Sequence, residues 1–374
     1  PQRFLYGNFD IGNADPNDIG HISLDKARAG NLGAEFFSIW ADPETTGGHF
    51  ANAAFDMIDS VYEQAARHPD RMMMAFSAHD IERAHKQKQF AALLGIEGGH
   101  SIENDIHLLR DFYRLGVRYM TLSWSNTNEW ADSSGDADDP KIEHHNGLTE
   151  FGKQVVLEMN RMGMMVDISH VADKTFFDAI ATTKAPVIAS HSSARALTRH
   201  PRNMTDDMLR AVAKNGGVVQ VNFYSAFLDE SYRKAAEAQK KDAAAAVAAH
   251  IADLKAAGKS VTYLDRDQIE REWAAKIPRP PLQSLVDHID HIAKVAGVDH
   301  VGLGSDFDGV SGAMPQGMDS AADLPIITQA LLDRGYRAQD IHKILGGNLL
   351  RVFRQVEQVS HSLQAEPVRT PASQ

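Results

Sequence analysis

The sequence contains no cysteine, which excludes disulfides, thiolate metal sites and cysteine nucleophiles together. Any metal here must be held by His, Asp and Glu, and 18 histidines make that feasible. No run of about 18 apolar residues occurs, so no transmembrane helix is expected. There is no Gly-x-Ser-x-Gly elbow, which counts against an α/β-hydrolase. The glycine-rich pieces at 302–309 and 346–347 fit no phosphate-binding loop. Positive charge is the scarcer sign: 38 Lys and Arg against 50 Asp and Glu give a net charge of −12. That balance argues against a nucleic-acid partner or an anionic membrane surface. No internal repeat is found.

What is there reads as an ordinary globular chain, 43% apolar and 24% charged over 374 residues. This length suits one large barrel or two ordinary domains. Short β-rich apolar runs at 36–40, 92–97, 118–124, 164–170, 186–191, 218–223 and 300–307 read as strands. Segments of helical period lie between them, at 53–67, 106–115, 149–162, 174–182, 205–214, 282–296 and 326–333. Strands apolar on both faces that alternate with helices point to a parallel α/β sheet. Periodicity alone leaves a barrel and an open doubly wound sheet as rivals. An eight-stranded barrel needs one strand beyond these seven. Residues 72–76 could supply a strand, but their closeness to Ala92 reads as a hairpin, so the missing barrel strand is expected upstream of Pro1. Residues 231–281 are rich in Ala, Lys and Glu and have too few large apolar side chains for a core of their own. They read as a helical excursion on the rim of a single domain spanning 1–374. A polar tail is expected from Glu366 onward.

Polar residues stand at the C-terminal ends of the expected strands: Glu97, His170, His191, and the Asp306 and Asp308 of Ser-Asp-Phe-Asp-Gly. In a parallel barrel these ends open on one face, where active sites form. Two His, a Glu and an Asp converging there match a hydrolytic metal site. Each alone has a plainer reading. A single His at a strand end is usually a hydrogen-bonded structural residue. Glu97 before two glycines could be a turn, and Asp-Phe-Asp-Gly is ordinary turn chemistry. Four such coincidences on one face carry more weight than any member. His288 and His291, one turn apart on an amphipathic helix, read as surface or core-edge residues, and His144 and His145 as solvated loop residues.

Several motifs, in order, resemble the membrane (renal) dipeptidase family. They are Gly95-Ile-Glu-Gly-Gly-His-Ser-Ile, Asp167-Ile-Ser-His-Val, Ser190-His-Ser-Ser-Ala, Arg202-Asn203, Val221-Asn-Phe-Tyr and Gly304-Ser-Asp-Phe-Asp-Gly. Ala27-Arg-Ala-Gly followed by Phe36-Phe-Ser-Ile-Trp fits the family's opening region, and Asn348-Leu-Leu-Arg-Val-Phe its C-terminal part. The resemblance covers nearly the whole chain outside 231–281.

The resemblance implies a (β/α)8 TIM barrel of the metal-dependent hydrolase type with two zinc ions. Glu97 would bridge both metals, His170 and His191 would hold the second, and Asp306 would handle the proton of the attacking water. Arg202, with Asn203 beside it, would bind the substrate; its planar fork suits the free carboxylate of a dipeptide. The family's first metal is held by a His-x-Asp pair just before a proline resembling Pro1. That pair is absent here, and His21, the only early histidine, aligns in a loop. Strand and pair are therefore expected upstream. A second departure is Trp124, where the family commonly has a substrate-polarising histidine; indole donates one hydrogen bond and carries no charge.

The expected function is hydrolysis of small dipeptides, including ones with a C-terminal D-residue. The rivals are another amide or lactone hydrolase on the same barrel, and a silent binding protein with an incomplete metal site. A homodimer is the family-level expectation, and an exported or periplasmic location follows if a signal peptide precedes Pro1.

Overall fold

The computed structural model describes residues 1–365 apart from 14, 16 and 17, so the tail expected from Glu366 lies outside the described residues. The strands are β1 (Ala34–Ile39), β2 (Met72–Met74), β3 (Phe90–Glu97), β4 (Val117–Thr121), β5 (Met165–Asp167), β6 (Ile188–Ala189), β7 (Val218–Asn222) and β8 (Val301–Gly304). All belong to one sheet, and every pairing is parallel. Each of the seven expected strands is present. Their order advances from β1 through β3 to β8 without reversal, whereas a doubly wound sheet reverses at a switch point. The winding is that of a TIM-type barrel, open between β1 and β8, whose outer edges pair with nothing among the described residues.

The hairpin expected at 72–76 is corrected. Met72–Met74 pairs parallel with Phe90, Ala91 and Ala92, and the helix Ala78–Gln87 makes the crossover. That helix buries only Ala78 and Ala84, so its apolar stripe is too thin to read in the sequence. Ser77 caps its start by accepting from the Asp80 amide, and Lys88 ends it in the left-handed region at φ 58°. β2 and β4 share one edge of β3, with β4 taking over where the register shifts between Leu94 and Gly95.

Two apolar layers follow from strand alternation. Phe37, Leu94, Met120, Val166 and Val219 pack outward against the helices, among them Met57, Val155 and Leu285. Their neighbours Leu93, Tyr119, Met165, Ile188 and Val218 turn inward. There they meet Val352, Phe353 and Val356 of the C-terminal helix Asn348–Ala365, which lies beyond the last segment of helical period expected from the sequence. Met165, Ile188 and Val218 are the first residues of their strands, so this helix closes the sheet at its N-terminal end. The opposite end is left for chemistry.

Residues 231–281 fold as the helices Glu230–Ala256 and Tyr263–Ala274. Asp229 caps the first, accepting from the Tyr232 amide. Only Tyr232 of its 27 residues is buried, in a small cluster with Ala226, Ile277 and Ala313.

Candidate metal centre

Glu97 is the last residue of β3, His170 follows β5, His191 follows β6 and Asp306 follows β8. Parallel winding carries all four to one rim. His170 Nε2 lies 2.9 Å from His191 Nε2 and 3.0 Å from Glu97 Oε1, and His191 Nε2 is 3.5 Å from the same oxygen. Two imidazole nitrogens this close repel unless a proton or cation lies between them. These three ligand atoms all fall within 4.8 Å of one another, a set of donors that fits a divalent ion.

The surrounding residues aim these atoms. Asp167, fully buried at the end of β5, accepts four hydrogen bonds: from the Thr121 and Ser190 hydroxyls, each at 2.6 Å, and from the amides of Ser169 and Ser190 at 3.0 and 2.8 Å. The Ser190 hydroxyl has one proton and gives it to Asp167, so at 2.7 Å from His191 Nδ1 it acts as acceptor. His191 therefore carries a proton on Nδ1, which leaves Nε2, facing Glu97 and His170, as the atom available to a metal. On Glu97, Oε2 accepts from the Ser38 hydroxyl at 2.6 Å.

Two positions of the site adopt left-handed backbone: His170 at φ 67° and Asp306 at φ 59°. Such conformations cost a non-glycine residue about 1 kcal/mol or more and collect at functional sites. At His170 the carbonyl is held by the Ser134 amide at 2.7 Å and hydroxyl at 2.8 Å. At Asp306 the carboxylate accepts from the Asn222 side chain at 2.9 Å.

Burial pushes the Glu97 carboxyl up, but hydrogen bonds from His170 and His191 outweigh it and hold it well below the usual range. Burial lowers His170, and the Arg202 charge lowers it further. Burial also acts against charge on His191, yet its bond to Glu97 raises it. A metal bound here would take the place of the protons these rings share with Glu97. Asp306 is pushed up, first by burial.

Arg202 is 7% exposed and lines the same cavity. Its guanidinium donates only to Ser192 Oγ at 3.5 Å and the His191 carbonyl at 3.3 Å, and stacks 5.4 Å from the Phe227 ring centre. Among the described residues it has no ion-pair partner. Burial lowers it to about 10, and it keeps its charge at neutral pH. A buried cation with neutral partners is a receptor for an anion.

Trp124 stands in the cavity wall, its ring 4.8 Å from Trp40 and 6.2 Å from His170. Asn203 does not reach the cavity. It is 1% exposed, and both its amide protons go to backbone, to Thr198 O at 3.0 Å and Phe227 O at 2.8 Å. Its place is to hold the Arg202 loop, which corrects the substrate-binding expectation. His288 is fully buried, not at the surface or core edge, with the Ala194 amide on Nδ1 and the Leu228 carbonyl on Nε2. His145, expected to be solvated, bonds the Asn128 carbonyl at 2.9 Å. The reading missed Ser38 and Ser190, whose hydroxyls are indistinguishable in sequence from ordinary strand-end serines. Asp167 carried a usable signal, as an acid inside a run that is otherwise apolar on both faces.

The fold and site define a parallel barrel with a His-and-carboxylate cluster at its C-terminal rim that could hold a metal ion. Residues 4–367 match the family described as membrane dipeptidase (peptidase family M19), and the chain belongs to that family. Dipeptidase 3 of Rattus norvegicus is 35% identical over 355 residues, covering 93% of this chain and 61% of that protein. Dipeptidase 3 of Homo sapiens is 32% identical over 352 residues with the same coverage. The chain spans about three fifths of the length of these curated relatives. The crystal structure of the probable dipeptidase PvdM from Pseudomonas aeruginosa superposes with a TM-score of 0.78 at 27% identity, covering 96% of this chain and 94% of that one. A Rhodobacter sphaeroides metallo peptidase liganded with a phosphinate mimic of L-Ala-D-Ala shares the fold, with a TM-score of 0.75 at 23% identity and 95% of both chains covered.

Proposed function

We propose that the chain is a zinc-dependent dipeptidase that hydrolyses small dipeptides, including ones with a C-terminal D-residue. The observation that carries this reading is Arg202, a buried cation with no ion-pair partner among the described residues, in the same cavity as Glu97, His170 and His191. Selection for a dipeptide would come from Arg202 gripping the free carboxylate beside the Glu97, His170 and His191 cluster.

Glu97, His170 and His191 would hold zinc, and Glu97, as a carboxylate with two oxygens, would be the residue shared with a second ion. Bound zinc lowers the pKa of its water and polarises the substrate carbonyl. Arg202 receives the free carboxylate in a bidentate pair. Asp306 takes the proton of the attacking water on its carboxylate. As the C–N bond breaks, it delivers that proton to the leaving amine nitrogen. The Trp124 indole packs the wall and adds no positive charge near the carbonyl. That feature favours a second reading, an amide or lactone hydrolase of the same barrel with another substrate preference.

The test is a panel of L,L- and L,D-dipeptides with added zinc, a chelated control, and C-terminally amidated counterparts. Metal-dependent cleavage of free dipeptides, with the amides cleaved at least tenfold more slowly, is expected from loss of one charge-assisted clamp. Equal rates on amides overturn the clamp, and no cleavage by folded, zinc-loaded protein overturns the dipeptidase reading in favour of the second.

A further inference from the structure

The helix Tyr263–Ala274 turns one face into the cavity, with Tyr263, Arg266, Glu270, Trp273 and Ala274 at helical spacing. It is seated on the loop after β8: the Tyr263 hydroxyl reaches the Asp308 carbonyl at 3.3 Å, and the Ser311 hydroxyl lies 2.8 Å from Asp267 and 3.1 Å from Glu270. The excursion is therefore part of the wall beside Asp306. Tyr263 also meets the Trp40 ring edge-on at 5.5 Å, and Trp40 in turn contacts Trp124.

The charges on this helix face are not balanced. Arg266 is paired with Glu44 from across the cleft, and Arg271 with Asp267 at 2.6 Å. Glu270 is left with the Ser311 hydroxyl and no cation within ion-pair distance among the described residues. Its charge is felt inside the cavity, since with Asp306 it bears on both Tyr224 and Tyr263. One cavity thus holds, on different elements, a cation at Arg202 and a carboxylate at Glu270 that have no ion-pair partner among the described residues.

Building on the dipeptidase reading, we propose that Glu270 is a specificity residue that receives a cationic substrate side chain, so that the preferred dipeptides carry a lysine- or arginine-like residue. The carboxylate is half-buried, where a charge-assisted bond to an ammonium or guanidinium outweighs one in open water. Glu270 lies two turns along from Tyr263 on the helix face that lines this cavity.

The experiment compares kcat/KM for Lys-Ala, Ala-Lys and their norleucine counterparts in wild type, Glu270→Gln and Glu270→Lys, all zinc-loaded. Expected is a lysine-over-norleucine preference at one position that falls about tenfold in Glu270→Gln and inverts in Glu270→Lys, with norleucine substrates unchanged. An unchanged ratio at both positions, or an equal loss on all four substrates, overturns the proposal while the dipeptidase reading stands. No cleavage of any of the four by folded wild type overturns both.

Discussion

The hydrogen-bond chain from Asp167 through Ser190 to His191 does its work one bond away from the ligand atom. Asp167 accepts the Ser190 hydroxyl hydrogen bond, Ser190 then accepts from Nδ1, and Nε2 is turned toward Glu97 and the metal position. In Ser190→Ala the ring loses both its orientation and its preferred tautomer. Zinc affinity is expected to fall about 10- to 100-fold, the usual cost of losing such a partner. A competition titration against a chelating dye measures it; wild-type affinity in the variant would contradict the relay.

A second histidine makes a residue-scale prediction of a different kind. Burial lowers His288 to about 4, because Nδ1 already accepts the Ala194 amide and a second ring proton would face that N–H. In the unfolded chain the same ring titrates near 6.5. Between those values the unfolded state binds a proton that the folded state refuses. Stability present above about pH 6.5 is therefore lost as pH falls toward 4, by up to about 3 kcal/mol. Denaturant unfolding across that window should give a shallower pH slope, by about one proton, in His288→Gln than in wild type; identical slopes would remove the assignment.

At the scale of elements, the C-terminal helix Asn348–Ala365 matters more than its position in the chain suggests. It supplies Val352, Phe353 and Val356 to the inside of the sheet, where Phe353 is 1% exposed and lies 6.5 Å from the Phe36 ring. Phe353→Ala leaves a cavity that the strands cannot close. A loss of about 3–5 kcal/mol is expected in urea unfolding, with zinc affinity of the folded protein unchanged because this helix closes the end away from the site. The same element explains a limit of sequence reading. Its apolar stripe is visible, but nothing in the stripe tells whether it packs outside a barrel or plugs it. The helix Ala78–Gln87 presents the opposite difficulty, since two buried alanines leave almost no stripe at all.

At the scale of the molecule, the ligands come from three separate strands: Glu97 from β3, His170 from beyond β5 and His191 from beyond β6. A metal bridging them is linked to folding of the whole sheet. Chelation is expected to lower the melting temperature by several degrees, since a ligand at a hundred times its dissociation constant stabilises by about 2.7 kcal/mol. Glu97→Gln should melt at the same temperature with and without chelator. If chelation moves the variant as far as the wild type, the metal is held elsewhere.

The sequence by itself determined the alternation of strands and helices, and with it the rim on which Glu97, His170, His191 and Asp306 meet. Strand period and the polar residue that ends each run are local properties, and parallel winding carries them to one face whatever the loops do. Only the tertiary structure decided three further things. It left Arg202 without an ion-pair partner among the described residues and turned Asn203 into a loop staple, because partners distant in sequence determine whether a polar group is satisfied. It aimed His191 through Ser190 and Asp167, because a hydroxyl has one proton and its direction depends on atoms from two strand ends. And it brought the helix Tyr263–Ala274 over the cavity, because an excursion with few large apolar side chains is located by its contacts with the loop after β8 and not by a core of its own.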